Sequence, residues 1–201
     1  RQRVIYSLTL WCLTWTGILP AWSDQINGYV LNPSSEERIG NLEIAFYVQQ
    51  NQQVSEIMRK KTDDEGRFSF SGPFLTAGTP FALAAFYRDV PYFSSTLEVG
   101  AQKQVILEVY DPTDRPDALR IISHNLFLNV TQNQIEVVHL AQFHNGEERA
   151  YVGTGQGSER QVSQFNLPPG ALDVQSHSGR MTQVDITTFF DNQPLLPGHS
   201  Q

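Results

Sequence analysis

Sulfur is nearly missing from this chain: its 201 residues include one cysteine, Cys12, and two methionines. Cys12 sits inside an apolar stretch near the amino terminus, so a chain cut after that stretch holds no thiol. Disulfides, cysteine catalysis and cysteine metal ligation are then excluded. Charge is sparse as well, at 17% of residues, and the positive kind is scarcer. Fourteen Lys and Arg stand against 21 Asp and Glu, for a net charge of -7. That balance lacks the basic stripe of a nucleic-acid binder. The one basic cluster, Arg59, Lys60 and Lys61, reads as a solvated strand end rather than a phosphate site. No long helical period runs through the chain, which argues against a helical bundle.

What is present begins with a leader-like segment. Arg1 and Arg3 precede an apolar run from Val4 to Trp22, broken by Pro20. Ala21-Trp22-Ser23 puts small residues at the minus-three and minus-one positions of a cleavage site. Residues 1–23 are therefore predicted as a secretory signal cut before Asp24. The rival is an uncleaved membrane segment, since a run of this length just spans a bilayer. Ser7, Thr9, Thr14, Thr16 and Pro20 favour the signal. Trp11 before Cys12 is too bulky for the usual lipoprotein site.

Residues 24–110 read as short strands. Ile26 to Val30 opens them, with Gly28 a bulge or a close backbone approach. Leu42, Ile44, Phe46 and Val48 alternate with Glu43, Ala45, Tyr47 and Gln49, a strand with one dry face. Val54–Thr62 follows. The run Asp63-Asp64-Glu65-Gly66 is then a tight corner, with Asp side chains on backbone amides and Gly66 at positive φ. Phe68 and Phe70 point to the core face, and Arg67, Ser69 and Ser71 away from it. Phe81–Tyr87 is nearly all apolar and reads as a central strand. Val90–Ser95, interrupted by Pro91, reads as an edge. Val105, Leu107 and Val109 close the set. About seven short strands at this spacing predict an antiparallel sandwich.

These residues carry a family likeness. Ile26-x-Gly28-x-Val30, Ile44-x-Phe46 and Thr62-Asp63-x-x-Gly66-x-Phe68-x-Phe70 resemble the carboxypeptidase regulatory-like domain, a transthyretin-like β-sandwich. The resemblance implies a non-catalytic accessory module, often of secreted or envelope proteins, and supplies no catalytic residues.

Residues 111–118 hold two prolines and three aspartates (Asp111, Asp114, Asp117), a composition suited to a short stiff linker. The carboxylates could instead help hold calcium, although turn and capping roles are the simpler reading. Residues 119–201 read as a second β-sandwich, C-terminally truncated. Its strands are the His124 strand, Ile135–His144 after a turn at Gln132-Asn133-Gln134, Arg160–Leu167, Leu172–Ser176 and Gln183–Phe190. Val109-Tyr110-Asp111-x-Thr113, Ala150-Tyr151-Val152-Gly153, Leu167-Pro168-x-Gly170-Ala171 and Pro194-Leu195-Leu196-Pro197-Gly198 resemble bacterial envelope proteins. In those, a transthyretin-like module precedes a second sandwich and a C-terminal membrane helix. The likeness thus implies an anchor beyond Gln201.

Chemistry-bearing residues are few. All five histidines (His124, His139, His144, His177, His199) fall in the second half, which raises a zinc or copper site. His139 and His144 are five apart, so a regular strand puts them on opposite faces. His124 alternates with Leu126 and Leu128, which suggests a half-buried structural histidine. The expectation is no metal and no cofactor. Gly155-Gln156-Gly157-Ser158 is not a nucleophile elbow, because Gln156 and Arg160 do not fit around Ser158; residues 153–158 read as a loop. Asn129-Val130-Thr131 fits a glycosylation acceptor, which matters only on a eukaryotic secretory route. Tyr87, Tyr92 and Phe93 offer a binding lead: aromatics exposed on a sandwich edge can stack on sugars or anchor a protein. Ordinary packing is the competing reading.

The sequence therefore predicts an all-β protein of two tandem antiparallel sandwiches behind a signal-like segment. Its expected role is a non-enzymatic interaction or structural module outside the cytoplasm, in the periplasm or cell envelope. The expected partner is a protein or glycan, not nucleic acid. Anchoring would run through the amino-terminal segment or a following helix. The alternatives are a carbohydrate-binding module and a metal-dependent enzyme using the second-half histidines.

Overall fold

The computed structural model describes residues 25–50, 53–175 and 181–198. The leader-like segment, Cys12, His177, His199 and the chain end lie outside them. Among the described residues every extended element is a β-strand, and the helical content is two single 3-10 turns at Pro116–Ala118 and Gly157–Glu159. No helix there is long and apolar enough to cross a membrane.

Alternation builds the first unit. β1 (Gln25–Asn32), β2 (Glu37–Arg38), β5 (Arg67–Ser71) and β9 (Val105–Glu108) form one sheet. β3 (Glu43–Gln50), β4 (Gln53–Lys61), β6 (Pro80–Tyr87), β7 (Val90–Phe93) and β8 (Leu97–Glu98) form the other. Even-numbered residues of β1 and odd-numbered ones of β9 turn inward, burying Ile26, Val30, Val105 and Leu107. Between the sheets lies one core, in which Phe46 stacks on Phe81 at 5.1 to 5.5 Å from Phe70 and Phe74. As expected, β6 is internal, pairing with β3, β7 and β8, and β7 is an edge.

Two local readings are met. At the 63–67 corner an Asp63 carboxylate oxygen accepts the Arg67 amide at 2.7 Å, and Gly66 has a φ of 75°. At Gly28 the backbone of β9 comes so near that a Cβ would lie 2.2 Å from the Val105 carbonyl oxygen and 2.4 Å from the Phe68 ring. One reading is corrected: β1 pairs with β9 in parallel, so the unit is not purely antiparallel. The chain leaves β8 in one sheet and enters the other beside β1, running the same way.

The expected linker is built into the fold. β10 (Pro112–Thr113) pairs in parallel with β13 (Ala150–Tyr151), and Thr113 is buried. Asp111 receives hydrogen bonds from the Tyr87 hydroxyl at 2.9 Å and from Asn32 at 3.4 Å, and an ion pair from Arg88 at 3.0 Å. The Asp111 carboxylate thereby ties the joint to β1, β6 and Arg88.

Past the joint, β11 (Leu119–Val130) and β12 (Ile135–Asn145) form a long two-stranded ribbon. β14 (Ser163–Asn166), β15 (Met181–Gln183) and β16 (Thr188–Asp191) form a small three-stranded sheet in the order 14-16-15. Two expected strands are corrected. The described residues of the 172–176 segment are not a strand. Gln183–Phe190 is broken by a turn, because the Asp185 carboxylate accepts the Thr187 and Thr188 amides at 2.8 Å each and folds the chain back. A small second core of Ala118, Tyr151, Val162 and Leu195 sits at the root of the ribbon, with Leu119 and Phe143 against it.

Candidate functional site

The aromatic lead comes apart in three dimensions. Along β7 the inward positions are Val90 and Tyr92, and the outward ones Pro91 and Phe93. Tyr92 is 1% exposed, and its hydroxyl donates to the Tyr110 carbonyl at 2.5 Å. Burial raises its hydroxyl pKa above the ordinary value, as expected of a phenol kept neutral in a core. Tyr87 is half-buried, and burial together with the Asp111 carboxylate raises its pKa too. Only Phe93 of the three stands out, at 63% exposed. The expected stacking platform of Tyr87, Tyr92 and Phe93 is therefore corrected: successive strand residues face opposite ways, so Tyr92 and Phe93 cannot share a surface.

The exposed apolar surface is elsewhere, on the ribbon. Register pairs His124 with Ala141, Leu126 with His139, Leu128 with Val137 and Val130 with Ile135. Facing pairs share a side of a sheet, so these eight residues form one face. The opposite face mixes Ser123, Asn125, Asn129, Glu136 and Gln142 with Phe127, Val138 and Leu140, which are 53 to 59% exposed. The first face is aliphatic and uncharged at its outer end: Leu126, Leu128, Val130, Ile135 and Val137 are 48 to 70% exposed. A soluble chain rarely leaves such a set together. A bulge near Ile122 shifts the register at the base, where Ile121 faces Phe143.

Halfway down this face two histidines meet. His124 and His139 are diagonal neighbours on paired strands, with ring centroids 4.4 Å apart and their Nε2 atoms in contact. The expectation of a half-buried structural His124 is corrected, for His124 is exposed. Its alternation with Leu126 and Leu128 is real, but that face is not covered. The Phe165 ring meets His139 and Phe143 edge-on, at 6.2 and 5.8 Å. Partial burial, and secondarily the neighbouring His124, hold the His139 pKa below its ordinary value. His144 lies on the other face, as its odd spacing from His139 required. Reading along one strand at a time missed the pair, because the signal is the separation across a hairpin turn. Placing Gln132-Asn133-Gln134 at the tip already brings 124 near 139.

The ribbon is held at its base. Asn145, fully buried, donates to the Arg149 carbonyl at 2.6 Å and the Leu195 carbonyl at 2.9 Å and accepts the Glu147 amide at 3.0 Å. One shallow groove near this base is lined by Thr113, Arg115, Glu147, Glu148 and Arg149. Another includes Ser158, Glu159, Arg160 and Phe190, and among the described residues of its lining none is a histidine. Among the described residues no three His, Cys, Asp or Glu side chains group so as to hold a metal.

Comparison with known proteins adds little. No family model matches the chain, and no curated protein does. Among solved structures, a 9R-lipoxygenase from Cyanothece PCC8801 matches in part, at 17% identity and a TM-score of 0.31. The match covers 44% of this chain and 17% of the lipoxygenase, too little likeness to carry an argument about fold or activity.

Proposed function

We propose that this protein is a non-catalytic structural module of the cell envelope, working outside the cytoplasm. In this reading a transthyretin-like sandwich is the rigid body, and the β11–β12 ribbon is its docking arm. The signal-like pattern of residues 1–23 and the family likeness of residues 24–110 support export and the module type. The observation that carries the docking role is the aliphatic, uncharged outer face of the ribbon.

The occupant of that face is the same face of a second copy. The chain as a whole carries a net charge of -7, so two copies repel over most approaches. This face holds no acid or base besides its histidines, so two of them meet without opposed like charges. Its five aliphatic side chains expose roughly 500 Å² per copy, or about 1,000 Å² in a pair, near the floor for a specific interface. Sugar is a poorer occupant of this face, because stacking on a pyranose ring needs aromatic rings and its outer end presents aliphatic side chains.

Sedimentation velocity across a wide range of protein concentration tests the reading. A weak, concentration-dependent dimer is expected. Replacing Leu126, Leu128 and Val137 together with Ser should leave a monomer with an unchanged thermal midpoint. A chain that stays monomeric throughout, or a dimer indifferent to that triple substitution, would remove the docking role.

A further inference from the structure

The face that presents the aliphatic cluster also presents an arrangement of ligands. We propose that His124 and His139 form a two-imidazole site for a borderline divalent transition cation, with Cu(II) held most tightly and Zn(II) less so. This inference stands apart from the pairing of copies, since both ligands come from one chain.

Two observations carry it. First, the geometry is convergent: the rings lie on one face of paired strands, centroids 4.4 Å apart, with Nε2 turned to Nε2. A cation bound at about 2.0 to 2.1 Å from each nitrogen needs them on the order of 3 Å apart. Small side-chain rotations reach that spacing, because the rings sit on an open surface rather than in a packed core. Second, the two nitrogens have no rival. Each Nε2 is hydrogen-bonded to the other alone, and no carboxylate or cation of the described residues touches either ring. Neutral imidazole is the form that binds a metal.

The chemistry balances simply. In the free pair one Nε2–H donates to the other Nε2 lone pair. On metal binding both rings take the Nδ1–H tautomer, so the donor ring moves its proton from Nε2 to Nδ1 through solvent. Both Nε2 lone pairs then bond the cation, and no proton is lost overall. Two imidazoles are the whole protein ligand set, so water completes the coordination shell. Imidazole nitrogens with open positions suit Cu(II) above Zn(II) in the usual order of divalent affinities.

The test titrates the full chain with CuCl2, and separately with ZnCl2, in a non-chelating buffer at neutral pH. Binding is read by calorimetry and, for copper, by electron paramagnetic resonance. One saturable equivalent is expected, with a copper spectrum showing two equatorial imidazole nitrogens. His124→Ala and His139→Ala should each weaken copper binding by about tenfold or more. His144→Ala, on the opposite face, should leave it unchanged. His124→Gln and His139→Gln, checked by far-ultraviolet circular dichroism, guard against loss of the ribbon itself. Absence of a saturable equivalent, or affinity retained in the His124 and His139 variants, would overturn the site and leave a plain imidazole-to-imidazole hydrogen bond.

Discussion

The two-sheet unit and the ribbon use the same residue types to opposite ends. Both are built of strands rich in apolar residues. In the first unit apolar and polar residues alternate and close a core, with Val30, Ile44, Phe46, Phe70 and Leu83 all at or near zero exposure. In the ribbon apolar residues stand on both faces, and Leu126, Phe127, Leu128 and Val130 are more than half exposed. The difference is a second layer. A sheet face is stable when another sheet covers it, and two strands alone bury too little to hold themselves. The ribbon is held at its base by Asn145, Phe143 and Phe165, and its outer half is exposed.

The comparison breaks most sharply under truncation. Phe46→Ala should cost about 3 to 5 kcal/mol, since it empties the centre of a cluster of four rings. Leu128→Ala should stay within about 0.5 kcal/mol in the dilute chain, because little packs against it. Chemical denaturation of the two variants measures both. A large loss at Leu128 would mean that the ribbon is covered after all.

A smaller effect is expected where two strands of the first sheet come closest. Gly28→Ala should cost about 1 to 3 kcal/mol, as the new methyl meets the Val105 carbonyl and must push β9 away. Smaller again is Tyr92→Phe, at about 1 kcal/mol, for the lost hydrogen bond to the Tyr110 carbonyl. Phe93→Ala, one residue on and facing outward, should stay within about 0.5 kcal/mol. Thermal and denaturant unfolding of this pair tests whether adjacent positions of one edge strand really belong to opposite surfaces.

Most of the first unit was legible in the chain, because its signals are local. Alternation at Ile44, Phe46 and Val48 marks a strand, and Asp63 with Gly66 marks a corner. Pro91 marks an edge. The parallel pairing of β9 with β1 was not legible, since nothing local records which strand a late segment will join. The Gln183–Phe190 strand failed for a different reason: Asp185 supplies a turn whose strength depends on two amides just ahead of it. The ribbon face was misread at His124 because alternation states which residues share a face and is silent on whether that face is covered. The His124–His139 pair needed the hairpin register, which the turn at Gln132–Gln134 supplies only once both strands are placed together.

The smallest expected effect concerns acid, and it separates the two regions by what titrates in them. His139 has a folded-state pKa below its ordinary 6.5, through partial burial first and His124 second. A depressed folded value means that the unfolded chain takes up the proton more readily. The contribution to stability is therefore complete above about pH 6.5 and is lost as pH falls through the depressed value. His124 is the titratable group that bears on it; Phe165 and Leu126, the other neighbours, carry no charge. Between pH 8 and 5, imidazole resonances should show His139 titrating below 6.5, and ribbon amides should lose hydrogen-exchange protection over the same interval. Amides of β3 and β6, in a core without histidine, should be unchanged there. His124→Ala removes one of the two causes, so it should move the His139 value upward. A His139 that titrates at or above the ordinary value, or core and ribbon amides that respond to acid alike, would show that the two regions are not independently held.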